Sequence, residues 1–477
     1  MPSYKKVSEI DLEHFNLKGT FMSISKSILF NVDSYKISMH CQYPPGTTGV
    51  FSYIESRGGL YDKTVFFGLQ AFIKEYLTKP ITQEEINLAD EILTAHGEPF
   101  NRAGWQHILD EHNGYLPVVI RAVPEGTVVP TKNVLATIEN TDPQVPWLTT
   151  WLETALLRAI WYPTTVSTRS WHIRQTILKY LEETGDPNLI DFKLHDFGAR
   201  GNSSLESAGI GGAAHLVNFM GTDTISAVVF ARQYYGAGVA GFSIPAAEHS
   251  TITSWGRAGE VDAYRNMLTQ FARPGSILAV VSDSYDIYNA AGKLWGEELR
   301  QQVIDSGATV VIRPDSGDPV EVNRQLIEIL GDKFGYTVNA KGYKVLKYVR
   351  IIQGDGVNET SILAILEMLK SGGWSADNIA FGMGGELLQK VHRDTLKFAQ
   401  KASAVCINGE WVPISKDPIT DPGKRSKTGR VTLYRGHDGS YHSGVEDWLT
   451  SALETVYENG LLIRDMTFEQ VRKNARR

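Results

Sequence analysis

The sequence predicts an α/β protein built around a (β/α) barrel. Short apolar runs recur every few dozen residues in the second half of the chain, and most precede a helical pattern. The runs end near Asp196, Phe219, Ser243, Ser282, Arg313, Gln353 and Phe381. About seven such β/α units approach the eight of a closed barrel. Polar clusters follow nearly every run, which favours a ring over a doubly wound sheet, whose sites concentrate at one switch point.

Helical periodicity and turn residues predict the remaining elements. In the second half, the predicted helices are Ser204–Val217, Asp223–Tyr234, Tyr285–Ile304, Pro319–Leu330 and Glu359–Leu369. In the first half, they are Lys63–Leu77, Thr82–Thr94, Trp147–Trp161 and Thr164–Glu182, the last two separated at Pro163. Further strands are predicted at Leu116–Val123, Val134–Glu139, Lys401–Ile407 and Val431–Tyr434, with a last helix at Phe468–Ala475.

The pattern changes along the chain predict four parts. Residues 1–30 form an N-terminal extension without an assigned role, and residues 31–185 an α+β and helical part. Residues 186–395 form the barrel. We expect residues 396–477 to pack back on the N-terminal part, so that both chain ends build one additional α+β domain.

Composition narrows the class of protein. The 477 residues are 42% hydrophobic and 21% charged, as in ordinary globular proteins. A net charge of −7 disfavours general binding to nucleic acid or to anionic membranes. Two cysteines cannot build a disulfide framework. No apolar run reaches the ~20 residues that span a bilayer, and Met1–Lys18 is too charged for a signal peptide. We therefore expect a cytoplasmic protein.

The segment Lys193–Arg200 places an acid, an aromatic and a base directly after an apolar run. Phe197 with Arg200 would suit a flat, electron-poor ring that bears an amide. Ser203, with Glu206 three residues later, predicts the cap of the next helix. Asp223 after the following run either caps a helix or accepts a hydrogen bond from a ligand.

Candidate catalytic groups also follow three further apolar runs, at the ends of the predicted strands. Asp283 and Asp315 follow two apolar runs and could hold Mg²⁺ or ribose hydroxyls, since hard cations prefer oxygen ligands. Arg313 can stack on a ring or pair with an anion. His249 lies beside Glu248 and two hydroxyl residues, which suits acid–base or nucleophilic chemistry, although a buried structural histidine stays an alternative.

Two glycine-rich exits and one basic loop predict phosphate binding. The exits are Gln353–Val357 and Phe381–Glu386, late in the barrel, where backbone N–H groups commonly bind a phosphate. The basic loop Lys416–Arg430, with Arg393 and Lys401 nearby in sequence, is either a solvated face or a clamp for a polyphosphate.

Read together, these segments resemble the nicotinamide phosphoribosyltransferase family of type II phosphoribosyltransferases. The resemblance covers nearly the whole chain after residue 30. It rests on Asp33–Lys36, Gln42–Pro45, Ala122–Gly126, Glu139–Asp142, Lys193–Arg200, Ala213–Asn218, Gly221–Thr224, Ala246–Ile252, Ser282–Asn289, Ile312–Gly317, Gln353–Gly356, Lys416–Arg430 and Arg472–Ala475. Enzymes of this family transfer the phosphoribosyl group of PRPP to nicotinamide in NAD synthesis. They are homodimers with an incomplete (β/α) barrel, and each active site borrows residues from the other subunit.

The resemblance implies a role for each candidate residue. Nicotinamide would lie between Phe197 and Tyr35 of the partner subunit, beside Arg313, with its carboxamide N–H donated to Asp223. The ribose would contact Asp315, Gly354 and Asp355, and the 5′-phosphate would contact Gly384 and Gly385. Mg²⁺ would bind Asp283 and Asp315, and the pyrophosphate would lie among Arg200, His249, Arg57, Arg393, Lys401 and Lys416.

The resemblance also implies that ATP phosphorylates His249, which couples ATP hydrolysis to synthesis. We expect His249, Asp315 and Arg313 to carry the catalysis. Two alternatives stay open at this point. The chain could be a nicotinate phosphoribosyltransferase, which shares the fold and the PRPP chemistry, or a non-catalytic relative that acts as a binding protein.

Overall fold

The computed structural model describes residues 26–420, 425–445 and 450–477. It confirms an α/β fold with an irregular (β/α) barrel. Six parallel strands form a curled sheet. Their order across the sheet is Gly221–Thr222, Leu194–Asp196, Ile379–Met383, Val349–Gln353, Thr309–Arg313 and Ile277–Val281. Most of the predicted extension 1–30, residues 1–25, lies outside the described residues.

One irregular segment, residues 242–246, links the two edges of this sheet. The Thr222 N–H donates to the Phe242 carbonyl at 3.0 Å, on the edge strand that begins at Gly221. At the other edge, the Ala279 N–H donates to the Pro245 carbonyl at 2.9 Å. Because Pro245 has no N–H, this segment cannot complete a regular ladder. The apolar run predicted to end near Ser243 is therefore a bridge and not a full strand.

Helices follow most barrel strands and cover the outside of the ring. The α-helices of the described chain are Leu69–Phe72, Gln83–Ala95, Arg102–Glu111, Leu148–Trp151, Glu153–Thr184, Leu205–Leu216, Ile225–Tyr235, His249–Thr253, Glu260–Phe271, Ile287–Asn289, Arg300–Ser306, Pro319–Phe334, Glu359–Ser371, Gly385–Leu388 and Phe468–Ala475. Two stretches are π-helical, Ile73–Leu77 and Ala290–Glu298. The 3₁₀ turns are Ile28–Phe30, Ser34–Cys41, Pro187–Phe192, Ala199–Gly201, Arg257–Gly259, Ala376–Asn378 and Arg393–Thr395. Among the described residues, none of these helices is long and apolar enough to cross a membrane.

A second, antiparallel sheet of seven strands stands beside the barrel. Its order is Glu410–Pro413, Phe398–Ile407, Thr47–Ser56, Val134–Asn140, Val118–Ala122, Glu454–Glu458 and Leu461–Leu462. The three central strands come from the N-terminal part of the chain, and two strands from the C-terminal part flank them on each side. The described residues also form three two-stranded ladders, namely Lys63–Val65 with Val128–Pro130, Tyr336–Val338 with Lys344–Leu346, and Val431–Arg435 with Tyr441–Val445.

The long helix Glu153–Thr184 corrects the predicted break at Pro163. It runs through 32 residues without interruption, with Pro163 buried inside it. A proline in a helix leaves the carbonyl of the fourth preceding residue without its usual N–H partner. Here the Ala159 carbonyl faces Gly68, whose φ of +106° and missing side chain allow that backbone to lie directly against Pro163. Tight burial outweighs the local cost of the proline.

Three other boundaries differ from the sequence prediction. The predicted helix Lys63–Leu77 begins with the strand Lys63–Val65, because that run pairs with Val128–Pro130. The run predicted to end near Phe219 forms its strand two residues later, at Gly221. The helix cap is Ser204 with Ser207, not Ser203 with Glu206, since the Ser204 hydroxyl accepts the Ser207 N–H at 3.1 Å.

Candidate active site

The candidate site lies at the carboxyl ends of the barrel strands. Parallel strands end at the same rim of a barrel, so side chains that are distant in sequence meet there. The rim carries most of the site residues predicted from the sequence. They are Phe197, Asp223, His249, Asp283, Arg313, Asp315, Gly354, Asp355, Gly384 and Gly385.

His249 is held between two aspartates. Its Nε2 lies 3.0 Å from Asp283 Oδ1, and its Nδ1 lies 3.9 Å from Asp315 Oδ2. The other oxygen of Asp283 accepts the Asp315 N–H at 2.9 Å and the Ser316 hydroxyl at 2.5 Å. The Asp283 side chain is only 4% exposed, whereas that of His249 is 43% exposed. Asp283 therefore fixes both the imidazole and the loop that carries Asp315, while the imidazole itself stays accessible.

Asp315 lies in a half-buried part of the rim among groups of both charges. Burial raises the pKa of its carboxyl group, and the neighbouring Asp283 and Asp355 raise it further. Arg313, whose Nη2 lies 3.9 Å from Asp315 Oδ2, and His249 offset this only in part. A bound cation would relieve the repulsion between these carboxylates.

Gly354 allows Asp315 and Arg313 to pack closely against the backbone. A Cβ added at Gly354 would lie 2.7 Å from Asp315 Oδ1 and 3.4 Å from Arg313 Cδ. The absence of a side chain at this strand exit therefore lets the Asp315 carboxylate approach the backbone. The next residue, Asp355, is exposed beside it.

Phe197 and the glycine-rich exit after Ile379–Met383 share one corner of the rim. The Phe197 N–H donates to the Met383 carbonyl at 3.0 Å, and the Phe197 ring lies directly on Gly382. The exposed Arg200 belongs to the same loop, whose Gly201 packs against Gly385. The aromatic, the arginine and the predicted phosphate-binding backbone are thus neighbours.

Asp196, although part of the same motif, is a structural residue. Its side chain is fully buried, and it accepts hydrogen bonds from the Gly198 N–H at 2.7 Å and the Thr222 hydroxyl at 3.2 Å. Burial raises its pKa despite these bonds. Asp196 therefore shapes the loop on which Phe197 lies and does not face the rim.

Asp223 is oriented by two residues that the sequence did not single out. His195 Nε2 lies 2.8 Å from Asp223 Oδ1, and the Ser243 hydroxyl donates to the same oxygen at 2.6 Å. Burial acts to raise the pKa of Asp223, but these two hydrogen bonds outweigh it and hold the pKa below its ordinary value. Asp223 is therefore an anion at neutral pH. Within the described chain, its Oδ2 accepts no hydrogen bond.

His195 connects the aromatic and the carboxylate. Its ring centroid lies 5.1 Å from that of Phe197, two residues further along the chain. The alternation of faces along a strand puts residues i and i+2 on the same side, which is the signal that could have identified His195. Ser243 lies in the irregular bridge segment, where no sequence periodicity marks it.

Four basic side chains predicted to bind the pyrophosphate do not lie at the rim of the barrel within this chain. They lie on or beside the antiparallel sheet. We call Arg57, Arg393, Lys401 and Lys416 the basic patch. Burial lowers the pKa of Lys401, and the charges of Arg57, Lys416 and Lys36 lower it further, so these groups are close. The Arg57 N–H donates to the Lys397 carbonyl at 3.3 Å, four residues after Arg393.

Tyr35 belongs to the same side of the molecule as the basic patch. It is 59% exposed, and Lys36 Nζ lies 5.0 Å from its ring centroid. Within the described residues of this one chain, the Tyr35 ring makes no contact with Phe197. One subunit alone therefore does not assemble the predicted nicotinamide sandwich.

Comparisons with known proteins identify the family. The family model described as nicotinate phosphoribosyltransferase (NAPRTase) matches residues 192–461, and the model of the nicotinamide phosphoribosyltransferase N-terminal domain matches residues 27–120. This chain belongs to the nicotinate phosphoribosyltransferase family. It is therefore a pentosyltransferase, which confirms the enzyme class predicted from the sequence.

Similar proteins cover most of its length. Nicotinamide phosphoribosyltransferase of Xanthomonas campestris pv. campestris is 60% identical, covering 94% of this chain and 98% of the relative. The enzyme of the same name from Acinetobacter baylyi is 32% identical, covering 95% and 97%. Two solved structures share the fold. They are nicotinate-nucleotide pyrophosphorylase from Pyrococcus furiosus, with TM-score 0.59, 18% identity and 94% of both chains covered, and human nicotinic acid phosphoribosyltransferase, with TM-score 0.55, 17% identity and 93% and 92% covered.

Proposed function

We propose that this protein is a nicotinamide phosphoribosyltransferase. It transfers the 5-phosphoribosyl group of PRPP to nicotinamide and releases pyrophosphate, which makes nicotinamide mononucleotide for NAD synthesis. The relative with that name at 60% identity supports the choice. The observation that carries it is the arrangement of Phe197, His195 and Asp223, which sets an anionic hydrogen-bond acceptor beside an aromatic ring.

This arrangement favours nicotinamide over nicotinate. The free oxygen of Asp223 can accept an N–H from a carboxamide. The carboxylate of nicotinate would instead meet a like charge without a proton between them, which weakens binding. Nicotinate phosphoribosyltransferase activity therefore remains the alternative function, and Asp223 is the residue that separates the two.

The transfer itself needs positioned reactants and a stabilised leaving group. The ring nitrogen of nicotinamide attacks C1 of the ribose, and the bond from C1 to the pyrophosphate oxygen breaks with its electron pair on the pyrophosphate. Phe197 and Arg313 hold the ring, while Asp315, Gly354 and Asp355 hold the ribose hydroxyls and Gly384 with Gly385 the 5′-phosphate. Fixing the two reactants in line lowers the barrier, as do cations on the departing charge.

The pair Asp283 and Asp315 fits a hard divalent cation. The two carboxylates lie close together, since Asp283 accepts the Asp315 N–H at 2.9 Å, and the Asp315 side chain is 28% exposed. Mg²⁺ usually binds one or two carboxylates plus substrate phosphates and keeps several waters. When bound, Mg²⁺ would neutralise charge on the pyrophosphate. Because both Asp283 oxygens already accept hydrogen bonds, Asp315 would be the more direct ligand.

His249 is suited to the coupling of ATP hydrolysis. With the Nε2 proton donated to Asp283, the lone pair is left on Nδ1. Nδ1 would attack the γ-phosphorus of ATP, forming an N–P bond as the bond to the ADP oxygen breaks. Hydrolysis of the phosphohistidine after transfer would release phosphate and restore the imidazole. Its 43% exposure leaves room for a phosphoryl group.

We further propose a cytoplasmic homodimer with shared active sites. Tyr35 is exposed and its ring has no contact with Phe197 within the described residues of one chain, and the basic patch lies on or beside the antiparallel sheet. A second subunit would bring Tyr35 and the cations Arg57, Arg393, Lys401 and Lys416 to the rim, where Arg200 already lies. Neither nucleic acid nor a membrane enters this proposal.

A paired assay tests the proposed reaction. PRPP and Mg²⁺ are incubated with nicotinamide or nicotinate, with and without ATP, and mononucleotide and pyrophosphate are measured. We expect nicotinamide mononucleotide to form with a kcat/KM at least tenfold above that for nicotinate. A preference for nicotinate would favour the alternative enzyme, and no pyrophosphate release with either base would favour a non-catalytic binding protein.

Labelled ATP tests the role of His249 separately. The wild-type protein should carry an acid-labile phosphoryl group, and His249→Ala should carry none. His437→Gln, which changes an exposed histidine in the turn between the strands Val431–Arg435 and Tyr441–Val445, is the matched control and should label like the wild type. Equal labelling of His249→Ala would refute the coupling.

A further inference from the structure

Three metal-ligating side chains converge outside the barrel rim. His107 lies on the helix Arg102–Glu111, His112 directly follows that helix, and Asp142 follows the strand Val134–Asn140. His107 Nε2 lies 2.7 Å and His112 Nε2 lies 2.6 Å from the same oxygen, Asp142 Oδ2. Within the described residues this is the one group of three such ligands whose binding atoms all lie within 4.8 Å of one another.

We propose that His107, His112 and Asp142 form a binding site for a transition-metal cation, with Zn²⁺ as the best match. Two imidazole nitrogens and one carboxylate oxygen are a ligand set that suits Zn²⁺, whereas Mg²⁺ prefers oxygen ligands only. The site is separate from the His249 cluster and does not depend on the proposed transfer reaction.

The surrounding chain holds Asp142 ready to bind. Its Oδ1 accepts the Gln144 N–H at 2.8 Å, and its backbone carbonyl accepts a hydrogen bond from the Asn140 side chain at 2.7 Å. These bonds turn Oδ2 toward the two histidines.

The present separations are those of hydrogen bonds, so a metal ion requires a small opening of the cluster. In a tetrahedral site with bonds of about 2.0–2.1 Å, ligand atoms lie about 3.3 Å apart. The two N–O separations would thus lengthen by roughly 0.7 Å, which side-chain rotation can supply. Each ring would carry its proton on Nδ1 and not on Nε2.

The cluster is open enough for this exchange. The side chains of His107, His112 and Asp142 are 19%, 28% and 12% exposed, so solvent can carry the protons and a metal ion can enter. A water molecule would take the fourth position. The metal would join a helix to a strand exit 35 residues further along the chain, and binding to the folded state alone would stabilise that state.

Metal titration of the full chain tests the site. Metal-stripped protein is titrated with ZnCl₂ by calorimetry and with Co²⁺ by visible absorption, in excess Mg²⁺ so that oxygen-only sites are filled. The variants are His112→Gln, His107→Gln with His112→Gln, and Asp142→Asn, and the control is His437→Gln. Any weaker Zn²⁺ binding at His249 is common to all of these proteins and cancels in the comparison.

We expect the wild type and the control to bind one more Zn²⁺ than the double variant, with at least tenfold higher affinity, and to give tetrahedral Co²⁺ absorption. His112→Gln leaves the hydrogen bond between His107 and Asp142 intact, so it reports on the site even if the double variant does not fold. Equal Zn²⁺ binding by the wild type and His112→Gln, or no Zn²⁺ binding by the wild type, would overturn the proposal. Because the readout is metal binding, failure of the transferase assay leaves this result unaffected.

Discussion

Substitution of Gly382 by alanine is predicted to damage nicotinamide binding while sparing the fold. Gly382 is buried in the strand Ile379–Met383, and the Phe197 ring lies directly on it. A Cβ at this position would overlap three ring carbons, Cε2, Cδ2 and Cζ. Because the ring is partly exposed, it can swing out of the way, and the strand keeps its place.

The size of the effect follows from the contact that is lost. A favourable ring–ring contact is worth about 0.5–1.5 kcal/mol, which corresponds to roughly a 2- to 12-fold rise in KM for nicotinamide. The free energy of unfolding should fall by less than the roughly 1–3 kcal/mol typical of overpacked cores.

Steady-state kinetics with varied nicotinamide at saturating PRPP measure the KM for nicotinamide, and denaturant unfolding measures the free energy of unfolding. Gly238→Ala is the control, since its Cβ would meet nothing within 4 Å. An unchanged KM in a folded Gly382→Ala protein would refute the assignment of Phe197 as the wall of the nicotinamide site.

Three further predictions concern the polar groups of the rim. His195→Leu removes a hydrogen-bond donor to Asp223, so kcat/KM for nicotinamide should fall about 10- to 100-fold, as for a lost hydrogen bond to a charged group. His195→Gln should recover part of the lost kcat/KM. Equal kcat/KM in His195→Leu and the wild type would contradict the role of His195. Asp283→Asn no longer fixes the Nε2 proton of His249, so labelling by ATP should fall at least about tenfold, and normal labelling would argue against that role. Because the pKa of Asp223 is held below its ordinary value, its charge is lost only at acid pH. The ratio of kcat/KM for nicotinamide to that for nicotinate should therefore stay constant between about pH 6 and pH 8. A ratio that decreases as the pH is lowered from about 8 to 6 would contradict an ionised Asp223.

The sequence predicted the barrel because most of its strands contain a buried, continuous apolar run. Residues 310–312 and 278–281 are examples of such runs. Periodicity could not identify residues 242–246 as the link between the sheet edges, since only pairing with distant strands holds them there. The strand Lys63–Val65 was missed for the same reason, because its partner Val128–Pro130 lies 65 positions away.

The sequence predicted most of the residues that reach the rim of the barrel. It did not predict the hydrogen bonds between them. Asp283, Arg313 and Asp315 meet there because parallel strands end together. The two hydrogen bonds on Asp223 come from a neighbouring strand and from the irregular bridge, so they depend on the folded ring. In the proposed homodimer, the place of Tyr35 and the basic patch at the rim would depend on a second subunit, which one sequence cannot position.

The most direct test of the proposed function is the ratio of kcat/KM for nicotinamide to that for nicotinate, measured in the wild type and in Asp223→Asn. Two like charges about 4 Å apart repel by about 1 kcal/mol in water and about 4 kcal/mol near a protein surface. Asp223, with a side chain 48% exposed, lies between these limits. We predict a wild-type ratio above ten that falls at least tenfold in Asp223→Asn. A ratio that the substitution leaves unchanged, or a wild type that prefers nicotinate, would contradict the proposal.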